Sequence, residues 1–441
     1  MKYLLLGLIV SFSFDIPLLS LYKTWAVIRL SDILFVALIL VILMRKVIGA
    51  LPKFENRIPL IKPFTFYFLV CCASSVMTFY FLSKEQDVIT ALSYTAHWIV
   101  RLAQAFLCYY LFVNLVRDDK IMQKCLLVFW ISGLFVAAFG FLQYVKVAPI
   151  LWNEELSLVS TPGAIVSTLS YNHSHIALYM LCMIFMTLGL ITNERKYLLK
   201  IFMIISLVFF AHSLVFSLKR AAYIAVFVGL LFWLFKIEIV SKISLNKKVV
   251  LGFITLIFLS CLLILLMRHV ETYQRLNVFF VMAGKGDLAD ISGSFSDRSF
   301  LFRLEILEFY FNLFIKNPMR LIFGFGYLST PMRYWIGGIH NGYLEPFVDS
   351  GIVGLLAYLM IIWIMVKIFW KLSIYSAKYK GLYLAILSLV ISLNTYAFMA
   401  PFFSVYHTVG SFLEFFLSLL GVIIGRAYWR GKGLFILNPG S

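Results

Sequence analysis

The feature that most constrains this chain is a series of continuous apolar runs, many of them about twenty residues long. A run of that length matches what an α-helix needs to cross the hydrocarbon core of a bilayer. Transmembrane β-strands would instead show segments of about ten residues with alternating polarity. Because backbone polar groups in lipid must be satisfied within the structure that spans it, the runs predict helices. The sequence therefore predicts an all-α integral membrane protein.

Twelve transmembrane helices are predicted, and the whole chain, 1–441, is interpreted as a single polytopic membrane domain. Hydrophobic residues make up 62% of the sequence and charged residues only 13%, which excludes a soluble chain of this size. The predicted spans are about 3–20, 31–44, 63–82, 97–116, 125–145, 175–192, 199–217, 221–235, 248–267, 351–371, 381–399 and 411–429.

Basic residues are distributed unevenly between the two sides of these spans. Most of the 38 Lys and Arg residues follow even-numbered spans or flank the ends of the chain, and the short loops after odd-numbered spans hold few. Cytoplasmic loops carry such an excess, so both termini are predicted to be cytoplasmic. The net charge of +18 is thereby explained by topology and by anionic headgroups or an anionic substrate, not by nucleic acid.

The segment 268–350 is predicted to be one long loop on the outer face. Long loops on a compact scaffold are usually functional or disordered. Its middle part, FLFRLEILEFYFNLFIKNP, has apolar residues at helical spacing and stops at Pro318. This pattern predicts an amphipathic helix ended by proline, with a turn at the following GFGY.

The loop closes with the polar stretch GGIHNGYLEPFVDSGIVG, which runs into an apolar span. His340 is followed by Asn341, Glu345 and Asp349, and the last three are spaced to line one helix face. Polar groups at the mouth of a membrane helix are costly unless they face a cavity. A neutral histidine there could accept a proton from an alcohol. The alternative is a solvated loop end with an interfacial histidine.

Four arginines are candidates for binding an anion near the outer face. Arg220 begins the eighth span, Arg303 opens the amphipathic helix and Arg298 lies close before it. A guanidinium can hold phosphate through paired N–H donors, although Arg220 could equally be a snorkelling residue at a helix end. Arg101 lies inside the fourth span, where a charge faces the bundle interior or a partner, and a substrate phosphate is one candidate ligand.

The sequence predicts no cofactor and no metal. All six cysteines lie in or beside apolar runs and are interpreted as small core residues rather than as disulfides. His173 and His175 form a pair without an adjacent third ligand. Since phosphate-binding loops and dinucleotide fingerprints are also missing, any energy for a reaction must arrive attached to the substrate.

Three motifs resemble those of the O-antigen ligase and polymerase family of bacterial inner membranes. HNGYLEPFVDSGIVG fits the ligase pattern of His, Asn/Ser/Gln, nine residues, Gly, two residues and a small residue. RLEILEFYFNLFIKNP followed by GFG resembles the family's helix from arginine to Asn-Pro and then Gly-x-Gly. SLKR resembles a short polar motif that ends in arginine. One departure is Leu307, where relatives often have tryptophan.

The resemblance implies a membrane glycosyltransferase that acts on the periplasmic side of the inner membrane. Its donor would be an undecaprenyl-diphosphate-linked glycan, attacked at the anomeric carbon by an acceptor hydroxyl in an inverting, metal-independent reaction. His340 would be the base or would orient the acceptor, and Arg220 and Arg303 would hold the diphosphate. Asn341, Glu345, Asp349, Arg298 and Arg101 are the candidate supporting residues.

The acceptor is left open by the resemblance. A ligase would transfer the glycan to the lipid A core, and a polymerase would transfer it to a second lipid-linked repeat unit. The alternative from a different class is a transporter or flippase of the same lipid-linked glycan. A transporter of this kind predicts a central cationic cavity between two similar halves. The two halves of the sequence are not similar, and the polar residues cluster toward one face, which favours the enzyme.

Overall fold

Helices make up nearly all of the regular structure in the part of the chain that the computed structural model describes. The described residues are 1–14, 17–21, 26–50, 53–85, 87–149, 167–169, 173–194, 196–241, 295–327, 341–376, 378–398, 400 and 412–430. His340 and the predicted span at about 248–267 lie outside these residues.

Thirteen helices and two strands occur in the described residues. In chain order they are α1 (Lys2–Ser11), β1 (Pro17–Leu21), β2 (Ala26–Arg29), α2 (Leu30–Val47), α3 (Ile61–Glu85), α4 (Val88–Leu115), α5 (Asp119–Tyr144), α6 (His173–Asn193), α7 (Tyr197–Phe216), α8 (Arg220–Ser241), α9 (Phe295–Lys316), α10 (Arg320–Phe323), α11 (Leu344–Tyr375), α12 (Lys380–Ala397) and α13 (Phe412–Arg430).

Eight of the described helices are long and apolar enough to cross a membrane. They are α3, α4, α5, α6, α7, α11, α12 and α13. Two further predicted spans, 31–44 and 221–235, correspond to the helices α2 and α8. A multi-pass membrane protein is thereby confirmed, whereas the total of twelve spans stays a prediction.

The first predicted span, about 3–20, is wrong in its second half. Helix α1 ends at Ser11, and the chain continues into an antiparallel hairpin of β1 and β2, in which Leu21 pairs with Ala26. Pro17, which offers no backbone N–H to a continuing helix, is the first residue of β1. The all-α fold class is confirmed for the described part of the chain, in which this two-stranded hairpin is a local exception.

The helices alternate in direction, so the bundle has two ends. At one end α11 begins and α12 stops, and the N–H of Gly342 donates to the carbonyl of Ala397 at 2.7 Å. We call this the motif end. At the opposite end Asp119 forms ion pairs with Lys378 and Arg426. We call this the basic end.

Helix α13 lies at the centre of the bundle, and 94% of the residues in its most apolar stretch are buried. It approaches α4 closely through two glycines. A Cβ on Gly421 would lie 2.8 Å from the Cβ of Phe112, and one on Gly425 would lie 2.8 Å from the carbonyl oxygen of Val113. Small residues at such a crossing let two backbones pack closely, which is a main source of attraction between helices in lipid.

Candidate active site

Two of the motifs singled out in the sequence contact each other through their backbones. The turn 324–327 lies against α11, and the N–H of Phe325 donates to the carbonyl of Val348 at 2.8 Å. The N–H of Gly326 donates to the carbonyl of Asp349 at 3.0 Å. α11 is interrupted there, with non-helical backbone angles at 350 and 351. We call residues 324–327 and 348–351 together the motif interlock.

Glycine is required at two positions of the motif interlock. Gly351 has φ +66°, and a Cβ there would lie 2.1 Å from the carbonyl oxygen of Ile322. Gly324 has φ +72°, and its Cβ would lie 2.4 Å from the carbonyl oxygen of Asp349. Any side chain would therefore meet both an unfavourable backbone conformation and a backbone neighbour that cannot rotate away. This explains why both motifs carry glycine at these positions.

Helix α3 ties both halves of the motif interlock to the bundle through two hydroxyls. Ser74 Oγ donates to the carbonyl of Asp349 at 2.6 Å, and Thr78 Oγ1 donates to the carbonyl of Tyr327 at 2.7 Å. Both hydroxyl groups are buried. The sequence analysis missed these residues. The available signal was a pair of small polar residues four apart on one face of a spanning helix, where such groups often bond to a neighbouring element.

The predicted amphipathic helix is confirmed as α9, which ends at Lys316 just before Pro318. Its apolar stripe forms a separate small core with the motif interlock. The members are Ile306, Tyr310 and Phe314 of α9 with Phe325 and Val348. The side chains of Arg298 and Arg303, both in the first half of α9, lie outside the described residues, so their predicted roles stay predictions.

Asn341 precedes α11 and binds its first turn. Its Oδ1 accepts from the N–H of Tyr343 at 2.9 Å and of Leu344 at 3.1 Å. Its Nδ2 donates to the carbonyl of Phe398 at 3.1 Å. The expectation that Asn341 shares a helix face with the two acids that follow is therefore wrong, because the helix starts after it. The side chain instead satisfies N–H groups at a helix start.

The two acids of the motif, Glu345 and Asp349, are buried in the first part of α11, at 6% and 3% exposure. The carbonyl of Asp349 is also an acceptor within the motif interlock. Tyr327 is buried beside them. Burial first, and then the nearby Cys71 thiol and the two carboxyl groups, raise the pKa of Tyr327 well above its ordinary value. The sequence analysis predicted these acids at the start of a membrane helix, but it did not predict that they are buried within the protein.

Arg220 begins α8 and is exposed at the motif end. Ser392 of α12 donates to the carbonyl of Ala225, which fixes the register of the two antiparallel helices. Arg220 lies five residues before Ala225, and Phe398 lies six residues after Ser392. At about 1.5 Å per residue, both lie at a similar height beyond that contact. The structure thus places Arg220 at the level of the residue that Asn341 binds.

Arg101 lies in the bundle and is paired with an acid from another helix. Its Nη2 donates to Asp32 Oδ2 at 2.9 Å, and Gln104 Nε2 donates to Asp32 Oδ1 at 2.9 Å. The side chains of Arg101 and Asp32 are 8% and 17% exposed. The prediction that this arginine faces the interior or a partner is confirmed, and Asp32 is the partner that the sequence analysis missed. A role toward a substrate phosphate stays a prediction.

A groove of about 570 Å³ opens beside the motif interlock, between α3 and α10. We call it the interlock groove. Most of its lining is apolar, and Arg320 is the basic residue in it. Arg320 Nη1 lies 3.3 Å from the carbonyl oxygen of Gly324, and its guanidinium lies 4.8 Å from the centre of the Phe81 ring. The apolar lining residues are Val70, Ala73, Met77, Met319, Phe323 and Val353.

The motifs around this site match a known family. Residues 205–359 fit the family model described as O-antigen ligase. The predicted family resemblance is confirmed. This ligase-family segment includes Arg220, α9, the motif interlock and the first part of α11, and it supports a glycan-transferring membrane enzyme. No curated protein matches the chain.

The residues that complete the site come from both inside and outside the ligase-family segment. The hydroxyls of Ser74 and Thr78, on α3, lie outside it and hold its backbone. Phe398, whose carbonyl accepts a hydrogen bond from the side-chain amide of Asn341, also lies outside the segment, after its end. The ligase-family segment is therefore positioned by helices from both sides of the chain.

Proposed function

We propose that this protein is an inner-membrane enzyme that transfers an undecaprenyl-diphosphate-linked glycan to an acceptor hydroxyl. It acts as an O-antigen ligase or as a surface-polysaccharide polymerase, with an inverting mechanism that uses neither metal nor cofactor. The observation that carries the proposal is the motif interlock, which joins two motifs of the ligase-family segment into one backbone unit. A site held in this way keeps its groups preorganised for chemistry.

The proposed roles follow from the charges that form and disappear in the reaction. The acceptor oxygen attacks the anomeric carbon of the donor sugar while the bond from that carbon to the diphosphate oxygen breaks. His340 takes the acceptor proton, and undecaprenyl diphosphate leaves with the bonding electron pair. Arg220 and Arg303 stabilise the negative charge that grows on the leaving group. Asn341 supports His340 because its own side chain is held at both of its polar ends.

The position of the site suits a donor with a lipid tail. The tail stays in the bilayer, so the sugar and the diphosphate reach only the surface of the membrane. The motif end, where Asn341 and Arg220 lie at one level, provides polar groups at that surface. We assign the motif end to the periplasm and the basic end to the cytoplasm, since Lys378, Arg426 and Arg430 gather at the basic end.

The test uses the full-length protein in nanodiscs with a matched lipid-linked repeat unit, with and without lipid A core. Wild type, His340→Ala, Arg220→Gln and Arg303→Gln are compared. Arg45→Gln serves as the matched control, because Arg45 is an exposed arginine at the end of α2, away from the ligase-family segment. Thermal unfolding of each variant shows whether it is folded. Products are separated by size and by attachment to core.

The proposal expects transfer by wild type and by Arg45→Gln. It also expects the loss of roughly a hundredfold or more in rate for His340→Ala, the scale of general base catalysis. Chains that lengthen without core identify a polymerase, and glycan found only on core identifies a ligase. Full turnover by His340→Ala contradicts the base assignment. Passage of an intact lipid-linked glycan across vesicles without transfer supports the flippase and overturns the enzyme.

A further inference from the structure

We infer that the interlock groove holds the first part of the donor's polyprenyl chain, with Arg320 as an additional ligand of its diphosphate. This inference rests on the proposed function and assigns a place in the structure to the lipid part of the substrate. The sequence motifs do not include Arg320 or the groove-lining residues of α3 among the residues of the site.

The shape of the interlock groove fits a lipid chain that enters from the bilayer. Its α3 side runs from Val70 to Met77, which is about 10 Å along the helix axis. Arg320 stacks near Phe81, one further turn toward the motif end. The groove therefore has a cation near the membrane surface and an apolar floor that descends from it. Its volume lies within the range of about 300–1,000 Å³ that is typical of small-molecule sites.

Charge complementarity selects the occupant. Apolar contact alone gives little preference in a bilayer, because the surrounding lipid tails are as apolar as the groove. A guanidinium at the head of the groove adds a preference for a phosphate group, which it binds through paired donors. An occupant that satisfies both features has an anionic phosphate head joined to one long apolar chain.

The connection to the motif interlock favours the donor over a resident phospholipid. Ser350, which lines the groove, belongs to the break in α11, and Arg320 contacts the carbonyl of Gly324. A diphosphate at Arg320 would lie directly beside the backbone unit that presents the reacting groups. The polyprenyl diphosphate of the donor needs such a position, whereas a structural phospholipid does not.

The test measures binding of undecaprenyl diphosphate to the full-length protein in detergent by native mass spectrometry. Ala73→Trp fills the groove, and Val76→Trp is the matched control, since Val76 is three residues away on α3 and 66% exposed. Arg320→Gln removes the cation, and Arg320→Lys keeps the charge but not the planar fork. Phosphatidylglycerol and inorganic pyrophosphate are added as competitors, and donor KM and kcat are measured for each variant.

The inference expects one bound undecaprenyl diphosphate, weakened at least tenfold by Ala73→Trp and by Arg320→Gln and unchanged by Val76→Trp. The affinity of Arg320→Lys should lie between those of wild type and Arg320→Gln. Ala73→Trp and Arg320→Gln should both raise the donor KM more than they lower kcat. Equal binding by Ala73→Trp and wild type overturns the inference. Displacement by phosphatidylglycerol at equal concentration also overturns it and indicates a general lipid site, and displacement by pyrophosphate at equal concentration overturns the role of the chain.

The two proposals fail in distinguishable ways. Wild type that binds undecaprenyl diphosphate in the groove and transfers no glycan contradicts the proposed function and leaves the groove assignment standing. Wild type that transfers glycan, with Ala73→Trp and Arg320→Gln equally active and of equal KM, contradicts the groove assignment alone.

Discussion

At the motif end the chain is held by contacts between backbones, whereas at the basic end one carboxylate holds several cationic side chains. The motif interlock depends on two N–H to carbonyl bonds and on two glycines whose Cβ positions are already filled. At the basic end Asp119 contacts Lys378 Nζ at 2.6 Å, Arg430 Nη1 at 3.5 Å and the buried Arg426.

The difference shows that residues are held in place by different kinds of contact in the two regions. Backbone contact at the motif interlock leaves no room for an added side chain, which suits groups that must be held in place for a substrate. Ion pairs between long side chains adjust to one another and weaken in salt when they are exposed. The motif end should therefore be sensitive to single added atoms, and the basic end to the removal of the carboxylate that its cations share.

The largest effect is expected for Gly351→Ala. The added methyl meets the Ile322 carbonyl at 2.1 Å and a positive φ, so we expect a loss of about 3 kcal/mol or more in stability. Gly49→Ala is the matched control, because Gly49 has φ +67° and no atom within 4 Å of its Cβ position. It should cost about 1 kcal/mol. Thermal unfolding in detergent measures both, and equal losses would show that close contact is not what holds the motif interlock.

A smaller effect is expected for Asp119→Asn at the basic end. The substitution leaves Arg426, whose side chain is 6% exposed, without its acid. Removing one partner of a fully buried pair costs about 3–5 kcal/mol. We expect about 2 kcal/mol here, because Asp119 is 28% exposed and Arg426 still stacks near the Tyr379 ring at 4.6 Å. Thermal unfolding of Asp119→Asn at low and high salt measures this loss of stability. A loss as large as that of Gly351→Ala would contradict the proposed difference between the two ends.

Ser74→Ala is expected to lower stability by about 1 kcal/mol, since the buried Asp349 carbonyl loses one of its donors. Ser75→Ala is its matched control, because Ser75 donates to the carbonyl of Cys71 in its own helix. The control should change stability less and leave glycan transfer unaffected. If both variants unfold at the same temperature, the hydroxyl of Ser74 does not support the motif interlock.

The smallest effect is expected for Lys378→Ala. Its side chain is 55% exposed, and exposed ion pairs contribute little. The hydrogen bond to Asp119 is the main cause of the raised pKa of Lys378. The midpoint of thermal unfolding should stay within experimental error of wild type at any salt concentration. A clear drop at low salt that disappears at high salt would show that the exposed pair contributes more than the comparison allows.

Much of the fold could be predicted because it follows from local patterns. Apolar runs predicted the spanning helices, and the stop at Pro318 predicted the end of α9. The turn at GFGY was predicted from its glycines, and the structure has non-helical residues there. The hairpin at β1 and β2 was missed, since its short apolar strands cannot be told from a helix by hydropathy alone.

The parts of the site that were not predicted depend on contacts between distant residues. Ser74 is 275 residues from the acid whose carbonyl it binds, and Asp32 is 69 residues from Arg101. No local pattern of propensity or periodicity reports which helix will lie beside which. Asn341 was predicted as part of the site, but its position before α11 depends on where the helix starts, which is the least certain part of any prediction from sequence.

The anchors on either side of residues 328–340 have a further consequence for that stretch. Thr78 holds the carbonyl of Tyr327, and Ala397 holds the N–H of Gly342, so the two ends of the stretch are fixed by the bundle. Tyr327 is thereby held to α3 and Gly342 to α12. A relative movement of these two helices would therefore change the distance between Tyr327 and Gly342.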